Sequence, residues 1–370
     1  MADGLDPARA LMPGVRLKPV DTLSQGERST VRRAQAVDAV GREFGVIVKQ
    51  FHDAGQGWQR EAAALASVPD AVRVSRLFAV GVEPPILVTE DLGAGPSLAD
   101  ALAGTDPAAA ESALIGWAQA VAELHVATLG ARVEFSRALG RLGEQTGTEP
   151  VESWMPARLR DAERILDRVC GSLEVRLPSG ALEELTGLTE RLGGEGLAAL
   201  TPADTCPENN VRVGDRYVLV DFEGAQWRHL AWDVAYLHVP WPTCPCAWRL
   251  PQDVADRATE AYRRAASTAF PGVGHPAFDA DVEAAVVGWS MMTVTWFLEH
   301  ALGTPCDSEP EPVPVRPSPS RRAVILHRLG RAARSEELPA VSELATELRA
   351  ALADRWGDLP LALAPAFARG

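Results

Sequence analysis

The sequence predicts an α+β chain of two lobes, a small β-rich lobe over residues 1–92 and a larger, mainly helical lobe over residues 93–370. Three observations predict it. Short runs rich in Val, Ile and Phe, separated by Gly, Asp and Pro, fill the first part of the chain. Beyond Glu90 the pattern becomes long stretches of helix formers with one small β island. The length of 370 residues also exceeds what a single core usually supports, roughly 250–300 residues.

In chain order, strands are expected at Val31–Ala39, Phe44–Lys49, Val72–Val80 and Ile86–Thr89. The Ala-rich run Trp58–Ser67 is the one helix expected among them. Gly93-Ala-Gly-Pro96 marks a break. Helices then fit Pro107 to about Thr128, Met155–Cys170, Ser179–Leu192, Pro251–Ser267, Ala277–Leu302 and Pro339–Arg355, the last opening on a proline suited to a first helical position. The β island pairs Val211–Val213 with Tyr217–Val220 across Gly214-Asp-Arg216. Two Pro-rich stretches, 239–251 and 309–320, punctuate the second half, and the second reads as a solvated or polyproline-like connector.

Composition narrows the function classes. Hydrophobic residues at 46% and charged residues at 23% describe an ordinary globular chain. A net charge of −14 repels phosphate backbones and anionic lipid, so neither nucleic-acid nor membrane-surface binding is expected. The same field suits a cationic small molecule, although acidity also serves solubility. Ala284–Leu298 is too short to span a bilayer and reads as a buried helix. Cys170, Cys206, Cys244, Cys246 and Cys306 form no disulfide framework and no zinc-ligand spacing, so free thiols in the cytoplasm are expected. No signal peptide is visible at Met1.

The chemistry gathers around the β island. Phosphoryl transfer needs a carboxylate to orient the attacking hydroxyl, oxygen ligands for Mg²⁺ and a cation on the phosphates. Asp204 and Asn209 lie five apart in a loop, and Asp221-Phe-Glu223 follows the second strand, where a hairpin can return it beside Asn209. The alternative reading of Asp204 is an Asx-turn or helix-cap residue. The spacing D-x-x-x-x-N followed by D-F-E resembles the catalytic and metal loops of the aminoglycoside phosphotransferase / choline kinase family, over roughly Val20 to Leu302.

The resemblance implies a protein-kinase-like fold and an ATP- and Mg²⁺-dependent kinase acting on a small-molecule hydroxyl, ATP being replaceable by another nucleoside triphosphate. It implies Asp204 as catalytic base, with Asn209 and Asp221 holding the metal. Lys49, which ends its strand, would bind the α/β-phosphates, with Glu61, twelve residues on, as its partner; apart from the family pattern each reads as a solvated surface charge. Ser24, Gly26 and Ser29 correspond to the short nucleotide loop, and an ordinary turn is the alternative there. The backbones of Glu90 and Leu92 correspond to the adenine-binding hinge between lobes, and Asp233 to an aspartate that anchors the catalytic loop.

The chain also departs from that pattern. Pro202-Ala203 stands where the family has His-Gly, and Cys206 stands where it has a second histidine. A weakened or altered catalytic loop is therefore expected, and a nucleotide-binding regulatory protein with little or no catalysis is the alternative reading. Aminoglycoside, choline, another amino alcohol and a sugar-like metabolite all remain open as acceptor. Of the other polar residues, His125 reads as a packed histidine beside Leu114, Val121 and Leu124. The stretch Arg316, Arg321, Arg322, Arg328, Arg331 and Arg334 reads as a solvated helix face. Trp241 and Trp248 read as core packing, with a substrate-pocket wall as the alternative.

Overall fold

The structure, a computed structural model, describes residues 4–69, 72, 74–149, 151–303 and 318–368. After a short helix α1 (Asp6–Leu11), the chain forms β1 (Arg16–Gln25), β2 (Ser29–Val37) and β3 (Glu43–Phe51), then α2 (Gln56–Ser67), β4 (Leu77–Gly81) and β5 (Ile86–Glu90). The strands make one antiparallel sheet in the order β1-β2-β3-β5-β4.

Alternation along these strands gives the sheet two different faces. Ala34, Ala36, Val46, Val48, Ile86 and Val88 point to one side and close a core over Leu5 and Ala8 at the chain's start. Val31, Lys49 and Leu87 are register partners on the other face, as are Arg33, Ile47 and Thr89.

The remainder is mainly helical: α3 (Leu98–Ala103), α4 (Pro107–Ala127), α5 (Arg132–Thr146), α6 (Met155–Leu173), α7 (Ala181–Arg191), α8 (Ala231–Val234), α9 (Gln252–Ala266), α10 (Pro276–Gly303), α11 (Arg321–Ala332) and α12 (Pro339–Trp356). Two short ladders interrupt the helices. One is β6 (Ala198–Thr201) with β9 (Gln226–His229), and the other is the expected hairpin, β7 (Asn210–Val213) with β8 (Arg216–Leu219).

The large core is built around α10, where Val286, Trp289, Met291 and Met292 are buried. Trp154, Trp232 and Tyr236 meet Trp289 edge to face. No helix among the described residues is long and apolar enough to cross a membrane.

Two sequence expectations are corrected here. The arginine stretch is not a solvated face: α11 buries Arg322 and Arg328 against the helical core. Cys206 and Cys244 are joined as a disulfide rather than free, with Cα atoms 5.6 Å apart. Cys306, Arg316 and residues 309–317 of the expected Pro-rich connector lie outside the described residues.

Candidate functional site

The second face of the sheet covers a cavity of about 320 Å³. Val31, Arg33, Ile47, Lys49, Leu87 and Thr89 line it from the sheet, and Asn209, Val211, Val220, Asp221 and Phe222 line it from the hairpin. Glu61 of α2, Glu90 and Leu92 complete it. Six of the ten residues singled out from sequence thus share one cavity. Asp204 stands in the adjoining loop. Ser24, Gly26 and Ser29 lie at the β1–β2 turn, where the Gly26 N–H donates to the Ser29 carbonyl at 3.0 Å, and none of them lines the cavity. That turn is nevertheless tied to the site, because Arg28 forms an ion pair with Glu223.

Lys49 is the charge centre. Its Nζ donates to Glu61 Oε2 at 2.7 Å and to Asp221 Oδ1 at 2.6 Å, with Glu223 Oε2 at 3.6 Å. Burial disfavours its charge, but the three carboxylates outweigh that and raise its pKa, so it is always protonated. Burial pushes the Glu61 carboxyl up, to about 7, while Lys49 opposes the shift. Helix α2 is fixed in turn by Arg60, whose Nη1 donates to the Ala225 carbonyl at 2.7 Å, just past Glu223.

At the expected hinge, the Leu92 N–H makes no hydrogen bond among the described residues. The Glu90 N–H already donates to the Arg76 carbonyl at 2.8 Å, and the Glu90 carbonyl accepts from the Ser75 hydroxyl at 2.7 Å. Of the two, Leu92 is the open donor, while Glu90 retains only a second lone pair on its carbonyl.

The loop between β6 and β7 carries Asp204. Its Oδ1 accepts from the Thr243 hydroxyl at 2.5 Å and from the Cys206 N–H at 3.3 Å, which leaves Oδ2 without a partner among the described residues. Burial pushes the Asp204 carboxyl up to about 6; Thr243 and Cys206 counter it, and the charges of Asp221 and Glu223 add to it. Asn209 donates its side-chain amide to the Asp204 carbonyl at 3.1 Å, keeping its own Oδ1 as an acceptor. Its backbone carbonyl takes the Val220 N–H at 3.0 Å, which sets Asp221 beside it.

Asp221 adopts φ 63°, and so does Ala203 nearly, at φ 61°. For alanine that left-handed backbone costs about 1–2 kcal/mol, which a glycine would avoid. Pro202-Ala203 is therefore a strained replacement for His-Gly. The structure supplies other anchors for the loop, however. The Tyr236 hydroxyl donates to the Ala203 carbonyl at 3.1 Å, and Trp117 Nε1 donates to the Thr205 carbonyl at 3.2 Å. The Asn210 amide donates to the carbonyls of Cys206 and Pro207, while its Oδ1 accepts from the Leu98 N–H.

The disulfide then ties Cys206 to Cys244, the neighbour of Thr243, closing a loop 38 residues long. By chain entropy alone such a closure restricts the unfolded state by on the order of 3–4 kcal/mol. The sulfur of Cys246 lies within 4.8 Å of the other two. The loop that departs from the family pattern is thus held by these contacts.

Sequence reading missed Thr243, Tyr236 and Asn210. Asn210 carried a signal, standing next to Asn209. Thr243 and Tyr236 carried none. Asp233 is also placed differently from expectation: its buried carboxylate pairs with Arg228 of β9 and with His125 Nε2 at 2.9 Å, not with the catalytic loop. Burial would raise its pKa, but Arg228 and His125 hold it down. His125 is buried, as expected, with Tyr262 on its other ring nitrogen at 2.9 Å.

The oxygen atoms gathered here, from Asn209, Asp221 and Glu223, are hard donors that suit Mg²⁺. Asp221 Oδ1 is engaged by Lys49, and its Oδ2 and Asn209 Oδ1 have no partner among the described residues. The donor set fits such an ion.

No protein-family model matches the chain, and no curated protein matches it in sequence. Solved structures do. An ethanolamine kinase from Plasmodium vivax superposes with a TM-score of 0.51 at 12% identity, over 82% of this chain and 83% of the other. A choline/ethanolamine kinase family protein from Mesorhizobium loti gives 0.47 at 16% identity, over 90% and 92%. An aminoglycoside phosphotransferase in a ternary complex with ADP and hygromycin B gives 0.47 at 15%, over 78% and 88%. The likeness to the ethanolamine kinase shows the fold alone, and the fold is the protein-kinase-like one, in the α+β class expected from sequence.

Proposed function

We propose that this chain, with its protein-kinase-like fold, transfers the γ-phosphate of ATP, or of another nucleoside triphosphate, to a hydroxyl of a small molecule in the cytoplasm. The observation that carries this reading is the meeting of Lys49 with Glu61 at 2.7 Å and with Asp221 at 2.6 Å, two carboxylates from opposite walls of one cavity. A surface lysine needs no such arrangement, since exposed pairs contribute little.

Residues 1–92 form the nucleotide lobe, and residues 93–370 form the lobe that carries the catalytic loop, 201–223. Lys49, fixed by Glu61, holds the α/β-phosphates, and the open Leu92 N–H is the donor for the adenine. Asn209 and Asp221 are the residues that would hold Mg²⁺, which neutralises charge on the phosphates when bound. Asp204 orients the acceptor hydroxyl with Oδ2 and takes its proton, while Thr243 fixes Oδ1. A carboxyl with its pKa near 6 is a stronger base than an ordinary aspartate and is still ionised at pH 7.

The alternative, a nucleotide-binding regulator without transfer, draws on the strained Ala203 and the absent histidines. The replacement anchors and the preserved Asp204, Asn209 and Asp221 favour catalysis. Thermal unfolding with and without MgATP, followed by a phosphate-transfer screen over aminoglycosides, amino alcohols and sugar-like metabolites, separates them. A nucleotide-dependent rise in Tm with transfer to one acceptor class supports the kinase. A rise in Tm without transfer to any acceptor supports the regulator. No rise in Tm removes both.

A further inference from the structure

A second cavity, about 850 Å³, does not include Asp204 or Lys49. It opens between the 236–255 segment, α11, α12 and the chain that follows α12. Its charge is the reverse of the molecule's. Arg249, Arg331, Arg334 and Arg349 line it, together with His238 and His327, against a single acidic side chain, Asp358. The whole chain carries a net charge of −14, so this concentration of positive charge is not a sample of average surface.

Counter-charges account for only part of it. Arg331 is held by both oxygens of Glu283, at 2.9 and 2.6 Å, and Arg349 is 3.6 Å from Asp358. Arg249 and Arg334 have no carboxylate within ion-pair distance among the described residues. Beneath them Arg328 is 1% exposed. Its Nη2 donates to the carbonyls of Pro240, Trp241 and Pro242, and its Nε and Nη1 have no partner among the described residues.

Burial lowers the Arg328 pKa to about 9, so at pH 7 this guanidinium, held by neutral carbonyls, remains charged and adds to the potential of the cleft. The effect reaches His327, whose pKa is pushed down to about 4 by burial and then by Arg249, Arg334, Arg328 and Arg331. Leu250, Leu359 and Pro360 provide apolar wall, and the volume falls in the range of small-molecule pockets, about 300–1,000 Å³.

We propose that this cleft is a binding site for a small organic anion bearing phosphate or carboxylate groups, separate from the nucleotide cavity. Unpaired, exposed guanidiniums are the donors such groups take, often two N–H bonds at a time. The apolar wall supplies contact for the rest of the molecule. The cleft also borders the catalytic loop through one stretch of chain. Trp241 lines the cleft, while Thr243, two residues on, bonds Asp204.

Calorimetric titration of the full chain at low ionic strength, without magnesium, tests the proposal with pyrophosphate and citrate as separate probes. Because pyrophosphate can also reach the nucleotide cavity, Lys49→Met and the double variant Arg249→Glu/Arg334→Glu are titrated beside the wild type. We expect saturable binding of at least one probe, the same affinity within twofold in Lys49→Met, and at least tenfold weaker binding in the double variant. The probe that binds identifies phosphate or carboxylate as the recognised group. Absence of binding by both probes overturns the proposal, as does affinity unchanged in the double variant or lost in Lys49→Met. Arg349→Ala, at an exposed position, decides in the same way if the double variant fails to fold.

Discussion

In the cavity under the sheet, Lys49 lies within 2.7 Å of two carboxylates and 3.6 Å of a third, whereas in the C-terminal cleft Arg249 and Arg334 have no carboxylate within ion-pair distance among the described residues. The first region is a closed ionic network, built from strand, helix and hairpin so that each partner fixes another. The second accumulates like charge on α11, α12 and the 239–250 segment and leaves part of it open. Partnered charge of the first kind positions a defined group, while open charge of the second kind creates a potential that a ligand must satisfy. The overall charge of −14 hides this division.

The comparison can be broken most sharply at Lys49. Lys49→Met should lower kcat/KM by about 100- to 1,000-fold, as loss of a preorganised charge at a transferring phosphate does. It should leave anion binding in the C-terminal cleft unchanged. Steady-state kinetics and calorimetry on one preparation check both halves.

A smaller effect, on stability, is expected from Asp204→Asn. The folded pKa of Asp204 is about 6, above the ~3.9 of an unfolded aspartate. Between those values the folded state binds the extra proton, so ionisation costs stability progressively as pH rises from 4 to 6, and the cost is complete above 6. The asparagine variant should therefore be more stable at pH 7 by on the order of 2 kcal/mol and no more stable below pH 4. Denaturant titrations at the two pH values measure this.

The smallest change is expected at Thr243→Ala. It removes a bond that lowers the Asp204 pKa, so the acid limb of kcat/KM should move above its wild-type position near 6. The maximal rate should fall by about tenfold, the worth of one hydrogen bond to a charged group. A pH–rate profile shows both.

What the sequence revealed about the two regions differs for physical reasons. Val31, Phe44–Lys49 and Ile86–Thr89 were legible because alternating β-branched residues between turn residues have few other solutions. The hairpin at 211–220 was legible for the same reason. Strand β1 was not, since nearly all of it is exposed on the sheet edge, with Pro19 and two register shifts breaking any alternation. The ladder of β6 with β9 joins two four-residue segments, too short for a period to register.

At the site, the closeness of Asn209 to Asp204 and Asp221 was legible because a short loop and a hairpin join them. Thr243 and the Cys206–Cys244 link were not, because they depend on contacts 39 and 38 residues apart. The arginines of α11 were misread because charge near a helix usually means solvent. Burial of Arg328 becomes possible only where three carbonyls from a folded Pro-rich segment converge on it.

The central claim is that Asp204 acts on the acceptor while Lys49 and its partners hold the nucleotide. The measurement that tests it most directly pairs MgATP binding with transfer to the best acceptor from the screen, in wild type and Asp204→Ala. Transfer lower by about 100- to 10,000-fold, with nucleotide affinity within threefold of wild type, is the predicted result. Undiminished transfer in Asp204→Ala would contradict it.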